Sequence, residues 1–403
     1  MIERVRVMLL LSSLHGGGAE RVAVHLLNRC DPVLVDVRMG LLRKAGPFLG
    51  DADESRVDVS KIGQDFLAFE GHNSNFYRPD KLLGAAVLAP ANVSSMIKAH
   101  RPHVVMSFLK GMSVLTYFVL KGMGQNRPVW IAREGNNTDA VIDDELTGTA
   151  SRNLIKSLTR RVYRGADCFL ANSHEMARGL HDRLDLDWNK VRVIHNPIDL
   201  TKIQRMAREP LPVAQDRPFL VTAGRLEYQK GHDVLLKAFA DSRAARDRDL
   251  VILGSGSLEA DLKAQASAMG LAERVKFYGF ADNPWAWFSK ADLFVLPSRW
   301  EGFPSVVAEA LACAAPALVT ACDFGPREVV EDGMSGWVVP PEDAAAFGAA
   351  MDMLLETPAL TERFRAQGPA RAANFDIARM VEAYTDLFME QAGASRDAMA
   401  LGA

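Results

Sequence analysis

Two successive sets of short apolar runs, separated by a proline-bearing interruption, constrain this chain of 403 residues more than any other feature. In the first set, Val5 to Ser12, Val33 to Met39, His103 to Phe108, Val129 to Ala132, Asp167 to Asn172 and Val191 to His195 read as strands, with helical patterns between most of them. In the second set, Pro218 to Ala223, Leu250 to Leu253, Val275 to Tyr278, Leu293 to Leu296, Ala317 to Thr320 and Trp337 to Val339 repeat the alternation. Near-continuous apolar strands that alternate with helices imply parallel sheets covered on both faces, because parallel neighbours need crossover connections. The expectation is α/β: two Rossmann-like, doubly wound domains.

Pro197, Pro210 and Pro212 punctuate the segment from Asn196 to Arg217 and break the pattern. The boundaries expected are an N-terminal domain over 1–200, a linker over 201–217, a C-terminal domain over 218–390 and a frayed tail over 391–403, where Gly393 to Ala403 has little apolar periodicity. In such folds ligands bind beyond the carboxyl ends of the strands, so the residues just after each run carry the functional interest.

Two domains also suit the length, which exceeds what one hydrophobic core usually supports. No apolar run reaches the roughly 18 residues of a membrane span; Val104 to Met123 comes nearest and holds Lys110 and Lys121. Arg4 to Leu14 imitates a secretory leader but runs into a glycine-rich turn without a small-residue cleavage pattern, so it is read as a first buried strand and residence in the cytoplasm is expected. Cys30, Cys168, Cys313 and Cys322 lie far apart, which indicates neither a disulfide framework nor a zinc site and leaves them as small core residues. Net charge is −3, with 29 basic and 23 acidic residues before Pro210 and 18 and 27 from there on. That asymmetry fits an N-terminal half that meets an anionic surface or substrate, and equally fits solvated surface charge.

Three segments carry candidate chemistry. Gly16, Gly17 and Gly18 stand between the first strand and a helical stretch, where backbone amides and a helix N-terminus favour an anion. A dinucleotide fingerprint fits less well, since Arg21 occupies the place of its third glycine; a tight turn without ligand is the other alternative. Gly224-Arg225-Leu226 ends the first strand of the second domain and Gln229-Lys230-Gly231 follows, so a bidentate guanidinium and a compact ammonium flank one strand end and can offset a leaving diphosphate. Glu301-Gly302-Phe303-Pro304-Ser305-Val306-Val307-Ala308-Glu309 follows the strand Leu293 to Leu296. A helix starting at Pro304 or Ser305 leaves Glu301 in the loop, suited to sugar hydroxyls, and Glu309 about one turn inside, suited to a ribose diol.

Taken in order, GGGAERV at Gly16 to Val22, HNPID at His195 to Asp199, GRL with QKG at Gly224 to Gly231, LGSGSL at Leu253 to Leu258 and EGFPSVVAEALA at Glu301 to Ala312 resemble the family 4 retaining glycosyltransferases of GT-B type, also called glycosyl transferases group 1. The resemblance covers nearly the whole chain. It implies two Rossmann-like domains facing each other across a cleft, the N-terminal one for the acceptor and the C-terminal one for a nucleotide sugar, a UDP-sugar by family habit. It further implies that Arg225 and Lys230 bind the donor diphosphate, Glu309 the ribose and Glu301 the transferred sugar. Gly17, Gly18, Gly224, Gly254, Phe303, Pro304, Ser305 and Val306 would complete the donor site. Retention by same-face attack needs no protein nucleophile, and none is assigned. Relatives carry a histidine after an N-domain strand where this chain has Ser107-Phe108-Leu109-Lys110-Gly111; Lys110 takes that place or is an exposed loop lysine. Arg133 and Asn136, after another strand, are further acceptor-side candidates.

Two cations at the donor segment can replace a divalent ion, so no cofactor and no metal requirement is expected. Arg152 to Arg164 holds five basic residues and no acidic one at helical spacing. It reads as a basic amphipathic helix for an anionic membrane surface or a polyprenyl-diphosphate-linked acceptor, or as an ordinary helix with a solvated face. The overall acidity and the lack of aromatics interleaved with basic residues exclude nucleic acid as a partner. The rivals to glycosyl transfer to a glycan or lipid-linked saccharide are a nucleotide-sugar epimerase or hydrolase on the same plan, for which no convincing acid/base set is present, and a binding protein that has lost activity, against which the complete phosphate set argues.

Overall fold

Every strand pairing is parallel, as runs apolar on both faces require. The computed structural model describes residues 4–15, 17–59 and 79–401. The chain divides into two units, one of Met1–Asn196 with Ala378–Ala403 and one of Pro197–Ile377.

The first unit runs β1 (Val5–Leu11), α1 (Gly18–Arg29), β2 (Val35–Leu41), β3 (Val57–Val59), α2 (Pro79–His100), β4 (Val104–Phe108), α3 (Leu109–Met123), β5 (Val129–Arg133), α4 (Thr138–Glu145), α5 (Thr149–Arg164), β6 (Cys168–Ala171), α6 (His174–Leu184) and β7 (Val191–Val193). Its sheet has the order β3-β2-β1-β4-β5-β6-β7. Strand order reverses between β1 and β4, so the switch point that favours ligands lies beyond their carboxyl ends. Local chemistry fixes the helix starts after β5 and β6: the Asn137 side chain accepts from the Ala140 amide to cap α4, and Ser173 accepts from Met176 to cap α6.

The second unit runs α7 (Leu200–Met206), β8 (Phe219–Ala223), α8 (His232–Asp241), α9 (Ala244–Asp247), β9 (Asp249–Leu253), α10 (Glu259–Ala268), β10 (Val275–Gly279), α11 (Pro284–Phe288), β11 (Leu293–Leu296), α12 (Ser305–Ala312), β12 (Ala317–Thr320), α13 (Pro326–Val329), β13 (Gly336–Val339), α14 (Ala344–Glu356) and α15 (Pro358–Ala372). Its sheet has the order β10-β9-β8-β11-β12-β13, with the reversal between β8 and β11. Phe219 and Val221 enter one apolar core and Leu220 the opposite one, the two-residue alternation of a strand covered on both sides.

The boundaries differ from those expected. The segment read as a linker carries α7, whose Ile203 is buried in the core of the second unit with Ile198, so apolar residues at 198 and 203 outweigh the three prolines. Residues 378–390 do not close the C-terminal domain. They belong to α16 (Ile377–Leu401), and this stretch packs into the first unit through buried Tyr384 and Phe388. Helix also replaces the expected fraying from 391 to 401, while residues 402 and 403, like Gly16, lie outside the described ones. The edge strand β3 was not anticipated; it has three half-buried residues. All four cysteines are free and buried, as expected of core residues.

Candidate active site

In the second unit, the loops leaving β8 and β11 at the switch point bring the predicted donor residues together. Lys230 ends a short turn before α8, and its Nζ lies 2.5 Å from Oε1 of Glu301 in the loop after β11. Both side chains are nearly out of solvent, at 12% and 6% exposure. Gly231 makes this approach possible. Its φ is +67°, and a Cβ there would stand 2.2 Å from the Pro297 carbonyl oxygen, so only glycine lets the Lys230 turn lie against the β11 loop. The Lys230 stem runs over Gly224, where an added Cβ would meet its methylenes at 3.4–3.6 Å.

Arg225 donates to the Gln229 side-chain oxygen at 3.1 Å, and Gln229 donates to the Trp300 carbonyl at 2.9 Å, so the first residue of the Gln229-Lys230-Gly231 motif, given no role of its own from sequence, stitches the two loops. The next loop closes on the same place. Gly254 has φ +135°, and a Cβ would lie 2.0 Å from the Gly224 oxygen; Leu226 donates to the Ser255 carbonyl at 2.9 Å. Glu227 takes the Ser257 amide at 2.9 Å and its hydroxyl at 2.6 Å.

Helix α12 starts at Ser305, with Glu301 in the preceding loop and Glu309 in its second turn, as the spacing predicts. Pro304 at the N-cap supplies no side-chain hydrogen bond, and the Ser305 and Val307 amides donate to the Phe303 and Pro304 carbonyls, each at 2.9 Å, so the helix start offers an anion chiefly the positive end of its dipole. Glu309 is buried, and its Oε2 accepts from Trp285 Nε1 at 3.0 Å. Phe303 is buried edge-on against Phe375, with ring centroids 5.1 Å apart, so it stiffens the loop from below. Burial pushes the Cys322 thiol pKa up, with the Glu301 carboxylate the next cause.

Residues 16–202 match the family model described as Glycosyltransferase Family 4, and residues 204–371 match the one described as Glycosyl transferases group 1. A curated relative from Campylobacter jejuni, N-acetylgalactosamine-N,N'-diacetylbacillosaminyl-diphospho-undecaprenol 4-alpha-N-acetylgalactosaminyltransferase, is 31% identical over 62% of this chain and 71% of its own. The chain belongs to glycosyltransferase family 4. A D-inositol 3-phosphate glycosyltransferase from Thermomonospora curvata is 32% identical over 56% of this chain and 58% of its own length. Among solved structures, a glycosyltransferase from Rickettsia africae covers 96% of this chain and 99% of its own at TM-score 0.73 and 15% identity. HepE of Anabaena in complex with UDP and glucose covers 96% and 100% at TM-score 0.74 and 19% identity.

In this family 4 glycosyltransferase the first-unit candidates fall at the ends of β1, β4 and β5. Gly17 and Gly18 open α1, and Gly18 faces the Asn196 side chain. Leu109, beyond β4, adopts φ +67°, a left-handed conformation that costs a non-glycine residue about 1–2 kcal/mol. Lys110 follows it, paired with Glu145 at 3.5 Å, so it is neither free nor fully exposed. Arg133 does not project to a surface: it is 1% exposed, donates to Tyr384 Oη at 2.9 Å and Asn196 Oδ1 at 2.6 Å, and lies over the Phe108 ring. It ties β5 to the return helix α16. Asn136 is half-buried and its Oδ1 accepts from the Asn137 amide at 2.8 Å, which makes it a turn-former here. Glu134, between Arg133 and Asn136, accepts from Tyr163 Oη and from the Gly135 amide; burial and this carboxylate hold the Tyr163 phenol well above its usual range.

Proposed function

We propose that this glycosyltransferase moves a sugar, with retention of anomeric configuration, from a UDP-sugar bound by the second unit to a glycan or polyprenyl-diphosphate-linked saccharide taken by the first. The observation that carries the donor assignment is the convergence of Arg225, Lys230, Glu301 and the α12 N-terminus at the β8/β11 switch point. Arg225, Lys230 and the positive end of the α12 dipole take the charge that develops on the departing diphosphate, a contribution of about 3 kcal/mol per well-aimed donor. Glu309, held by Trp285, receives the ribose hydroxyls, and Glu301 a hydroxyl of the sugar. The acceptor attacks from the face the diphosphate leaves, so no protein nucleophile enters.

Two similar proteins support the finer assignment: the Campylobacter jejuni relative acts on a diphospho-undecaprenol-linked saccharide, and HepE is described with UDP and with UDP-glucose. For the acceptor, α5 carries Arg160, Arg161 and Arg164 with Leu154 69% exposed, while Phe118 on α3 is 52% exposed. Basic side chains beside exposed apolar ones suit peripheral attachment to an anionic inner membrane face. No helix among the described residues is long and apolar enough to cross a membrane. Two cations at the diphosphate lead us to propose turnover without a divalent ion, which excess chelator tests: lost activity refutes it.

The deciding experiment is donor-dependent thermal stabilisation across a panel of nucleotide sugars, in wild type and in Lys230→Ala and Glu309→Ala. Stabilisation by one UDP-sugar that both variants lose, with glycosylated acceptor as product, is expected. Free sugar or an epimerised nucleotide as product, or stabilisation kept by both variants, overturns the assignment.

A further inference from the structure

Behind Glu301 stands a residue that no motif marks as functional. Ser298 follows β11 by two positions and is fully buried. Its Oγ donates to Glu301 Oε1 at 2.7 Å, and its own carbonyl accepts from Thr320 Oγ1, at the end of β12, at 2.6 Å. Lys230 Nζ reaches the same carboxylate oxygen at 2.5 Å. The Glu301 amide is spent on the Asp323 carbonyl at 2.9 Å, which pins the backbone as well. Oε1 thus takes two donors, while Oε2 takes none among the described residues.

A carboxylate held by two donors on one oxygen loses its freedom to rotate, and its second oxygen keeps full acceptor capacity. Ser298 reaches Glu301 from within the same loop, Lys230 from the β8 side, and Thr320 fixes the peptide that carries Ser298. We infer that Ser298, braced by Thr320, is a positioning residue that orients Glu301 so that Oε2 receives one hydroxyl of the transferred sugar and thereby sets donor specificity. Ser298 itself touches no substrate. The inference rests on Glu301 being the sugar-contacting residue.

Supporting side chains of this kind, hydrogen-bonded to a charged group that must be held in register, change rate by roughly tenfold when removed. The test compares wild type, Ser298→Ala, Thr320→Val and Glu301→Gln on whichever of UDP-glucose, UDP-galactose, UDP-N-acetylglucosamine and UDP-N-acetylgalactosamine turns over, and on its monodeoxy sugar forms. Binding of UDP alone is measured in each variant. Expected for Ser298→Ala is a kcat about tenfold lower and a loss of about tenfold in discrimination against one deoxy form, with UDP affinity unchanged; Thr320→Val shows the same split more weakly. Unchanged discrimination in Ser298→Ala while Glu301→Gln loses it overturns the positioning role alone. Unchanged discrimination in Glu301→Gln, or no turnover of any of the four donors by wild type, removes the reading of the site and the inference with it. Loss of UDP binding in Ser298→Ala marks a merely structural residue and also overturns it.

Discussion

Lys230 and Glu301 share one 2.5 Å contact and are each other's counter-charge in a place that is nearly dry. Removing one partner leaves the other charged and buried, which typically costs about 3 kcal/mol or more, whereas replacing both by neutral groups of similar shape is close to neutral. Lys230→Ala should therefore lower the unfolding free energy by about 3 kcal/mol and the transfer rate by about a hundredfold or more. Lys230→Met with Glu301→Gln should recover most of the stability and none of the activity. Urea unfolding followed by tryptophan fluorescence, beside initial rates, checks both; a double variant as unstable as Lys230→Ala refutes the counter-charge argument.

Trp285 holds Glu309 through an indole hydrogen bond of 3.0 Å. Trp285→Phe keeps most of the ring volume and removes the donor, a loss worth about 1 kcal/mol. The donor KM should rise about fivefold while kcat stays within about twofold, because the ribose is bound alike in ground and transition states. A fall in kcat at constant KM in steady-state kinetics contradicts a ribose role for Glu309.

Arg133 contributes through packing and hydrogen bonds to Tyr384 and Asn196. Arg133→Met strands both acceptors in the interior, and the first unit should lose about 2–3 kcal/mol. Tyr384→Phe should cost about 1 kcal/mol, and the double variant less than the sum, since the pair shares one interaction. Additive effects in denaturant titrations would rule out the strut.

His232, the first residue of α8, is 2% exposed, and neither ring nitrogen has a hydrogen-bond partner among the described residues. Burial, with the Lys230 charge next, pushes its pKa down from 6.5 to about 3. The folded state thus binds fewer protons than the unfolded state between about pH 3 and 6.5, and stability falls as pH drops through that window, by about 1.4 kcal/mol per unit well inside it. Above 6.5 the ring is neutral in both states and contributes no slope. His232→Leu should flatten the acid limb and be neutral or stabilising at pH 7, because it removes two unsatisfied polar atoms. Melting curves from pH 4 to 8 decide: a limb of unchanged slope places the titration elsewhere.

Element boundaries and loop positions that depend on local pattern were legible in the sequence, whereas the Ser298 contact to Glu301 three residues on was not. The strand ends, the start of α12 at Ser305 and the loop position of Glu301 follow from apolar periodicity and one proline. Trp285 and Glu309 are 24 residues apart, and nothing local in Pro284-Trp285 marks an indole that reaches a carboxylate. Arg133 reads as a polar residue after a strand, and only the arrival of Tyr384, 251 positions later, turns it inward. The apolar spacing of α16 shows a helix but not which sheet it covers. β3 escaped because three half-buried residues at a sheet edge carry no continuous apolar run.

The chain leaves the first unit after Asn196 and rejoins it at Ala378. Ile198 and Asp376 bridge in parallel at the margins of the inserted unit, with the Ile377 amide donating to the Ile198 carbonyl at 2.9 Å. The order of synthesis is therefore reversed by the order of completion. The second unit is continuous and can close as soon as Ile377 has emerged, whereas the first unit waits with Arg133 and Cys30 lacking Tyr384 and Thr385 until the return helix is made. What is translated first is finished last.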